Sequence, residues 1–534
     1  MKLFLLTIGI VLFADYGESK TPKQPNIVMI LADDMGYQDV GFRGSNILTP
    51  NIDKFAKQGV ILENHYVMPQ CSPTRASLMS GRYAMRTGFW KGNIIPNEEW
   101  GLRLNETLLP EMLKRNGYAT HGIGKWHAGM YTWDHTPAKR GFDTFFGLYL
   151  GAQGYRSHKR SGHVDLREDY HDKDGKFVDD IKFDLEGKYS TYLYTDRAVE
   201  KIETRDKTKP LFLYLSYTAP HSPNDAPDDE VKRFASQIPS SPKQRRKYAT
   251  QISIMDEGIG KVMKTLENEN MLDNTIIVFT ADNGAFYGKK GSNFPLRGGK
   301  LSLFEGGVRA VSFINSPLLN TTGYTNTNLH HVTDWYATFQ KMAGDQPEKY
   351  SKPQLPLDGV DIWESVSNNK PCRDEVLMNL RDHKMIQDSS EHEFLVKRDE
   401  FDLEEDFGEL GDDEFPDDDA CDFFVIRWKD WKLFKGTYKV QDWTNKNSLS
   451  DAKFDRSEDV LTGGGGTGSG IKLFDLSKDP REEHNVADKH PDVVKSILEK
   501  LPGYMKNMTK INKRTRSKEG MKGNAWVPWV ENKK

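Results

Sequence analysis

Two hydrophobic textures alternate along most of this chain. Short apolar runs end in clusters of turn-forming residues, and between them apolar positions recur every third or fourth residue. The first texture predicts buried strands and the second amphipathic helices. Asn26 to Leu31 is the first predicted strand, ending in Ala32-Asp33-Asp34-Met35-Gly36. Helices are expected from Pro50 to Gln58, stopped by Gly59, and from Leu109 to Asn116, stopped by Gly117. The second leads into a strand, Ala119 to Ile123, whose end carries Gly124-Lys125-Trp126-His127. A helix over Tyr192 to Glu203 precedes the strand Leu211 to Tyr217, which ends in Thr218-Ala219-Pro220-His221. After Pro242, apolar residues Tyr248, Ile252, Met255, Ile259, Val262 and Leu266 fall at spacings of four and three, which predicts a long helix. It delivers the chain to the strand Thr275 to Thr280 and the turn Ala281-Asp282-Asn283-Gly284. Gly151 to Lys188 is polar, and irregular loops are expected there.

Strands alternating with helices predict an α/β domain over residues 20–365, built on a large, mainly parallel sheet flanked by helices. Beyond residue 366 the runs Val376 to Leu380, Phe423 to Trp428, Trp431 to Lys435 and Ile471 to Phe474 predict a smaller antiparallel sheet. A helix over Asp492 to Leu501 is expected to pack on it, giving a C-terminal α+β domain over 366–534. An acidic insertion at about 398–420 and a Gly-rich loop at 463–470 interrupt that domain; their composition predicts solvated segments without fixed ligand spacing.

In a parallel sheet the polar residues at the carboxyl ends of strands converge on one rim. Four predicted ends carry Asp33 and Asp34, Lys125 and His127, His221, and Asp282 and Asn283. Each set alone is ordinary turn or structural chemistry. Acid, base and cation together on one rim point to a reaction centre. Asp33, Asp34, Asp282 and Asn283 are hard oxygen donors, suited to calcium or magnesium rather than zinc. His330, His331 and Asp334 also group like metal ligands, but are read as structural.

The stretch Cys71-Ser72-Pro73-Thr74-Arg75 adds a helix start. Ser72 suits the N-cap and Pro73 the first helical position, which predicts a helix to Ser80, stopped by Gly81. Cys71 then sits at the positive end of the helix, with Arg75 one turn further in. A reactive side chain and a buried structural cysteine both fit these features.

The chain has 534 residues, 37% of them apolar and 28% charged, with a formal net charge of −4. So near a balance does not suggest a nucleic-acid binder. Met1 to Ser19 has the pattern of a signal peptide, and no later apolar run approaches the roughly 20 residues of a membrane span. The expectation is a chain without stable membrane insertion that passes through the secretory pathway to a lysosomal or secreted location. Besides Cys71 there are Cys372 and Cys421, which are either one disulfide or two thiols. Sequons begin at Asn105, Asn320 and Asn507.

Cys71-x-Pro73-x-Arg75 followed by Leu78-x-Ser80-Gly81-Arg82 resembles the signature of the type I, formylglycine-dependent sulfatases. Pro295-Leu296-Arg297-Gly298-x-Lys300, Gly141-Phe142-Asp143 and Trp526-Val527-Pro528-Trp529 are similar to the arylsulfatase B, I and J branch. The resemblance implies an alkaline phosphatase/sulfatase-like fold and a Cys71 oxidised to formylglycine by the formylglycine-generating enzyme. It also implies one calcium ion per chain held by Asp33, Asp34, Cys71, Asp282 and Asn283, with Arg75, Lys125 and Lys300 around the sulfate. Asp282 would then activate the aldehyde hydrate, His221 with Lys300 would protonate the departing alcohol, and His127 would take the second hydroxyl proton as sulfate is expelled. The implied substrate is a sulfated sugar or glycosaminoglycan, most like that of an N-acetylgalactosamine-4-sulfatase. Two alternatives are a phosphatase or phosphodiesterase on the same fold, and a catalytically silent glycan-binding protein. Neither the pattern nor the resemblance sets an oligomeric state.

Overall fold

The structure, a computed structural model, describes residues 24–238, 241–286, 291–350, 354–387, 422–440, 466–468, 470–512 and 518–530. Its large body is built on a 10-stranded sheet. In spatial order the strands are Tyr324–His331, Val60–Tyr66, Ser312–Asn315, Thr275–Ala281, Asn26–Ala32, Leu211–Ser216, Ala119–Lys125, Thr144–Leu148, Arg167–His171 and Phe177–Ile181. The centre, from Thr275–Ala281 across to Thr144–Leu148, runs parallel. Asn26–Ala32 lies between two parallel neighbours and is buried from Ile27 onward, which is why it reads as an unbroken apolar run.

The predicted long helix is Lys243–Asn268, and it buries every one of the apolar positions that announced it. Asp256 on that helix caps its neighbour Pro50–Gln58, its carboxylate accepting from the backbone amides of Asn51 at 3.2 Å and Ile52 at 2.7 Å. Two otherwise orphaned donors are satisfied in this way.

Gly151 to Lys188 departs from the expectation of loops. It contains the hairpin Arg167–His171 and Phe177–Ile181, which continues the sheet antiparallel at one end. The hairpin hides from an apolar pattern because its buried residues are polar and paired. Arg167 meets Asp179 at 3.1 Å, and Asp169 accepts from the Tyr149 hydroxyl at 2.7 Å.

The C-terminal sheet follows the order Glu375–Arg381, Phe423–Trp428, Trp431–Gly436 and Ile471–Asp475, antiparallel throughout. Val376, Val425, Phe434 and Phe474 pack from it onto Tyr66 and Phe304 of the large body. The single helix expected over Asp492 to Leu501 is two, Pro491–Leu498 and Leu501–Lys506, the second with proline in its first turn. Gly466–Gly468 of the Gly-rich loop pairs with Tyr438–Val440. The signal peptide at 1–19, the acidic insertion at 398–420 and Cys421 lie outside the described residues. Cys372 is a half-buried free thiol directed at the Leu329 carbonyl, 3.3 Å away. Asn105, Asn320 and Asn507 are all exposed.

Candidate active site

The helix of the cysteine motif runs Cys71–Ser80 and ends on Gly81 at φ 68°, a left-handed turn that favours glycine. It starts two residues earlier than expected, and its N-cap is Gln70 rather than Ser72. Ser72 is occupied elsewhere. Its amide donates to Asn93 Oδ1 at 2.9 Å and its hydroxyl accepts from the Ile94 amide at 3.2 Å. Cys71 is therefore the first residue of the helix, fully buried among the strand ends.

The structure brings the predicted residues together. Cys71 Sγ lies 3.4 Å from Asp33 Oδ1 and 3.9 Å from Asp34 Oδ1. Lys125 Nζ donates to both oxygens of Asp33, at 3.0 and 2.8 Å. Arg75 donates to Asp282 Oδ2 from Nε at 3.2 Å and from Nη2 at 2.8 Å. Lys300 Nζ donates to Asp34 Oδ2 at 3.1 Å and stands 3.2 Å from His221 Nε2. Asn283 donates its amide N–H to Asp34 Oδ1 at 2.7 Å. His330, His331 and Asp334 lie apart from this set. Their partners are Ser365, Thr333 and Arg373, at 2.9, 2.9 and 2.8 Å.

Several supports carried no motif. Arg75 is also held by Ser216 Oγ at 2.5 Å, Tyr214 OH at 3.4 Å and the Lys125 carbonyl at 3.0 Å. Thr74 Oγ1 donates to the Asp282 carbonyl at 2.6 Å. Tyr155 OH donates to the carbonyls of Thr218 and His221, at 2.8 and 3.0 Å, which fixes the turn that presents His221. Gly151 has to be glycine, since a Cβ there would come within 2.5 Å of the His127 ring. Asp34 and His127 adopt left-handed φ values of 63° and 51°. Such conformations cost on the order of 1–3 kcal/mol and cluster at functional sites.

The tautomers follow from these contacts. His127 Nε2 faces the Ile94 carbonyl at 2.8 Å and so carries the proton, leaving Nδ1 buried, without a hydrogen-bond partner and free to accept. Burial first, then Lys125, holds its pKa well below the usual range, so the ring is neutral. His221 Nδ1 donates to the Ser222 carbonyl at 2.6 Å, which turns its lone pair at Nε2 toward Lys300.

Burial would push Asp282 up, but Arg75, Lys125 and Lys300 together hold it well below the carboxylate range. Asp33 is pushed up to about 7 by burial, against the pull of Lys125. Burial, then the charge of Asp282, pushes the Cys71 thiol well above its ordinary value. The unmodified sulfur is thus a poor nucleophile, since the thiolate is the reactive form.

The donor set fits a hard cation. Ligand atoms of Asp33, Asp34, Cys71 and His221 lie within 4.8 Å of one another, and the buried Asn283 Oδ1 beside them has no hydrogen-bond partner. Carboxylate and amide oxygens are the ligands calcium and magnesium take.

A family model described as Sulfatase matches residues 25–345. Arylsulfatase J of Mus musculus is 36% identical over 525 residues, covering 96% of this chain and 81% of that protein. N-acetylgalactosamine-6-sulfatase of Homo sapiens is 33% identical over 361 residues, 65% of this chain and 66% of that protein. Among solved structures, Ps i-CgsB in complex with k-i-k-neocarrahexaose superposes with a TM-score of 0.69 at 28% identity, over 91% of this chain and 94% of that one. PsFucS1 sulfatase from Pseudoalteromonas sp. shares the fold, with a TM-score of 0.67 at 22% identity over 92% of each chain.

Proposed function

The chain belongs to the sulfatase family, and from that premise we propose that it is a calcium-dependent sulfuric ester hydrolase that removes sulfate from a sulfated sugar or glycosaminoglycan. Cys71 is its nucleophile position. The observation that carries this reading is the meeting of Cys71 with three carboxylates and three cations in one buried cluster. Burial holds the Cys71 thiol well above its ordinary pKa, a poor nucleophile as it stands, which supports the reading that the working side chain is a formylglycine made from Cys71 by the formylglycine-generating enzyme. The modified side chain supplies a carbonyl whose hydrate offers two hydroxyls. Asp33, Asp34, Asp282 and Asn283, with the modified Cys71, would hold the calcium, which would supply polarisation of a sulfate oxygen.

The remaining work falls to the chain's own residues. Arg75 fixes Asp282 in its ionised form, ready to accept a proton beside Cys71. Lys125 and Lys300 place positive charge where the sulfate oxygens gain negative charge, without reorganisation. Lys300 also holds a proton against His221 Nε2, and the pair delivers it to the leaving oxygen. His127, neutral with a free Nδ1, accepts a proton on the opposite side of the exchange. The catalytic body is residues 20–365, and the secretory pathway, ending in lysosome or outside the cell, is where Cys71 would be modified. No helix among the described residues is long and apolar enough to cross a membrane.

The substrate is read as most like N-acetylgalactosamine 4-sulfate. The N-acetylgalactosamine-6-sulfatases among the relatives favour a second reading, the 6-sulfate. A relative solved with a neocarrahexaose supports a sugar chain rather than a simple aryl ester. Sulfate release from the 4- and 6-sulfated sugars, with an aryl phosphate as control, tests all of these. Release from the 4-sulfate is expected. Release from the 6-sulfate alone would replace that assignment, and faster release of phosphate would overturn the sulfatase chemistry.

A further inference from the structure

A cavity of about 310 Å³ opens beside the segment that carries His127, lined by Trp100, Arg103, Tyr131, His135 and Lys510 among others. Among the described residues no carboxylate lines it. Its two cations are poorly neutralised. Among the described residues Arg103 donates only to the Lys510 carbonyl, at 3.1 Å. The carboxylate acting on it, Glu106, is already paired with Arg82 at 2.5 Å. Lys510 is exposed and makes no side-chain ion pair among the described residues. A half-buried guanidinium without a carboxylate partner among the described residues is a binding position for a tetrahedral oxyanion such as a sulfate ester, two of whose oxygens it can meet with two parallel N–H donors. The rest of the wall is aromatic and aliphatic: Tyr131 and His135 lie 4.4 Å apart between centroids at a tilt of 36°, beside Trp100, Leu104 and Ile511. Apolar faces with a few convergent polar groups are how small-molecule pockets are made.

The cavity is tied to the reaction centre by short backbone links. Gly101 bridges Gly129, the Leu102 amide donates to the Ala128 carbonyl at 2.8 Å, and Trp126 Nε1 donates to the Gly129 carbonyl at 3.0 Å. Ala128 directly follows His127. On the other side the Trp529 and Val530 amides clamp the Tyr131 carbonyl at 3.1 and 2.9 Å.

We propose that this cavity is a subsite for a second anionic sugar unit of the same glycan, held by Arg103 and Lys510 and packed against Trp100 and Tyr131. The inference rests on the sulfated-glycan reading and makes the enzyme one that prefers oligomeric over single-sugar substrates. Its test compares kcat/KM on a sulfated tetrasaccharide with that on a small aryl sulfate, for the intact protein and for Arg103→Ala, Arg103→Lys and Lys510→Ala. Glycan-trimmed protein is used, because the Asn105 sequon directly follows Leu104, which lines the cavity. The ratio of the two constants is expected to fall about tenfold in Arg103→Ala and several-fold in Lys510→Ala, through KM, with partial recovery in Arg103→Lys. An unchanged ratio overturns the subsite, as does an equal loss on both substrates. An intact protein that cleaves neither sulfate contradicts the functional reading instead. The subsite is then decided by calorimetric titration with the tetrasaccharide and its desulfated form, where binding of the sulfated form lost in Arg103→Ala supports it and undiminished binding overturns it.

Discussion

His65 shows how much a single buried side chain commits this protein to a pH range. It is fully buried, with Nε2 accepting from Trp335 Nε1 at 3.0 Å, and burial pushes its pKa down to about 3 from 6.5. A folded value below the unfolded one means that its stability contribution is complete above pH 6.5 and is lost as the pH falls toward 3. The loss is about 1.4 kcal/mol per pH unit, or roughly 2 kcal/mol by pH 5. In His65→Asn that slope disappears, so urea midpoints at pH 7, 6 and 5 are expected to converge on those of the parent as the pH falls. Parallel midpoints would contradict the assignment.

The same scale shows what the residue order discloses. Asp33, Asp34, Lys125, His127, His221, Asp282 and Asn283 were legible because each is a polar residue directly behind an apolar run, where a parallel sheet must expose it. Tyr214 and Ser216 were missed, although two polar groups inside the buried run Leu211–Ser216 need partners and were a usable signal. The Ile94 carbonyl that sets the His127 tautomer is backbone and has no side-chain signature.

At the scale of elements, a buried ion pair ties the C-terminal sheet to the loop that carries Lys300. Lys432 on the strand Trp431–Gly436 is fully buried between Glu305 and Glu482, 2.9 Å from each. Glu482 in turn accepts from the Glu305 amide at 2.6 Å, and its carbonyl accepts from Arg297 at 2.9 Å. The loop so pinned, Arg297 to Glu305, carries Lys300. Lys432→Met takes the shared cation from two buried carboxylates, leaving Glu305 only the more distant Arg309 at 3.7 Å, and is expected to cost about 3–5 kcal/mol. Because Lys300 loses its alignment, kcat is expected to fall more than KM rises. Urea unfolding and steady-state kinetics read the two effects, and a variant with native stability and kcat would refute the coupling. Two elements that escaped a pattern reading share one reason. Tyr324–His331 is an almost wholly polar strand at the sheet edge, and Arg167–His171 is buried through ion pairs, so neither shows the apolar alternation of a half-buried strand. The strands Asn26–Ala32, Leu211–Ser216 and Thr275–Ala281 and the long helix were legible because each carries an apolar run or stripe in its own sequence.

For the molecule as a whole, the family match ends at residue 345 while the chain continues through a second sheet and returns to the large body. Ala525 pairs with Val164, and Arg167 donates to the Trp526 carbonyl. The predicted division near residue 366 is therefore crossed by the chain's own closing segment, which no local composition could announce. What unites the molecule is a single buried position at the start of the helix Cys71–Ser80. The most direct test is mass spectrometry of the peptide spanning Cys71, from protein secreted by a eukaryotic host with an active modifying enzyme, alongside sulfate release by Cys71→Ala. The expected peptide has the mass of an aldehyde or its hydrate, and the variant is folded but inactive. An unmodified thiol in fully active protein, or turnover by Cys71→Ala, would contradict the account.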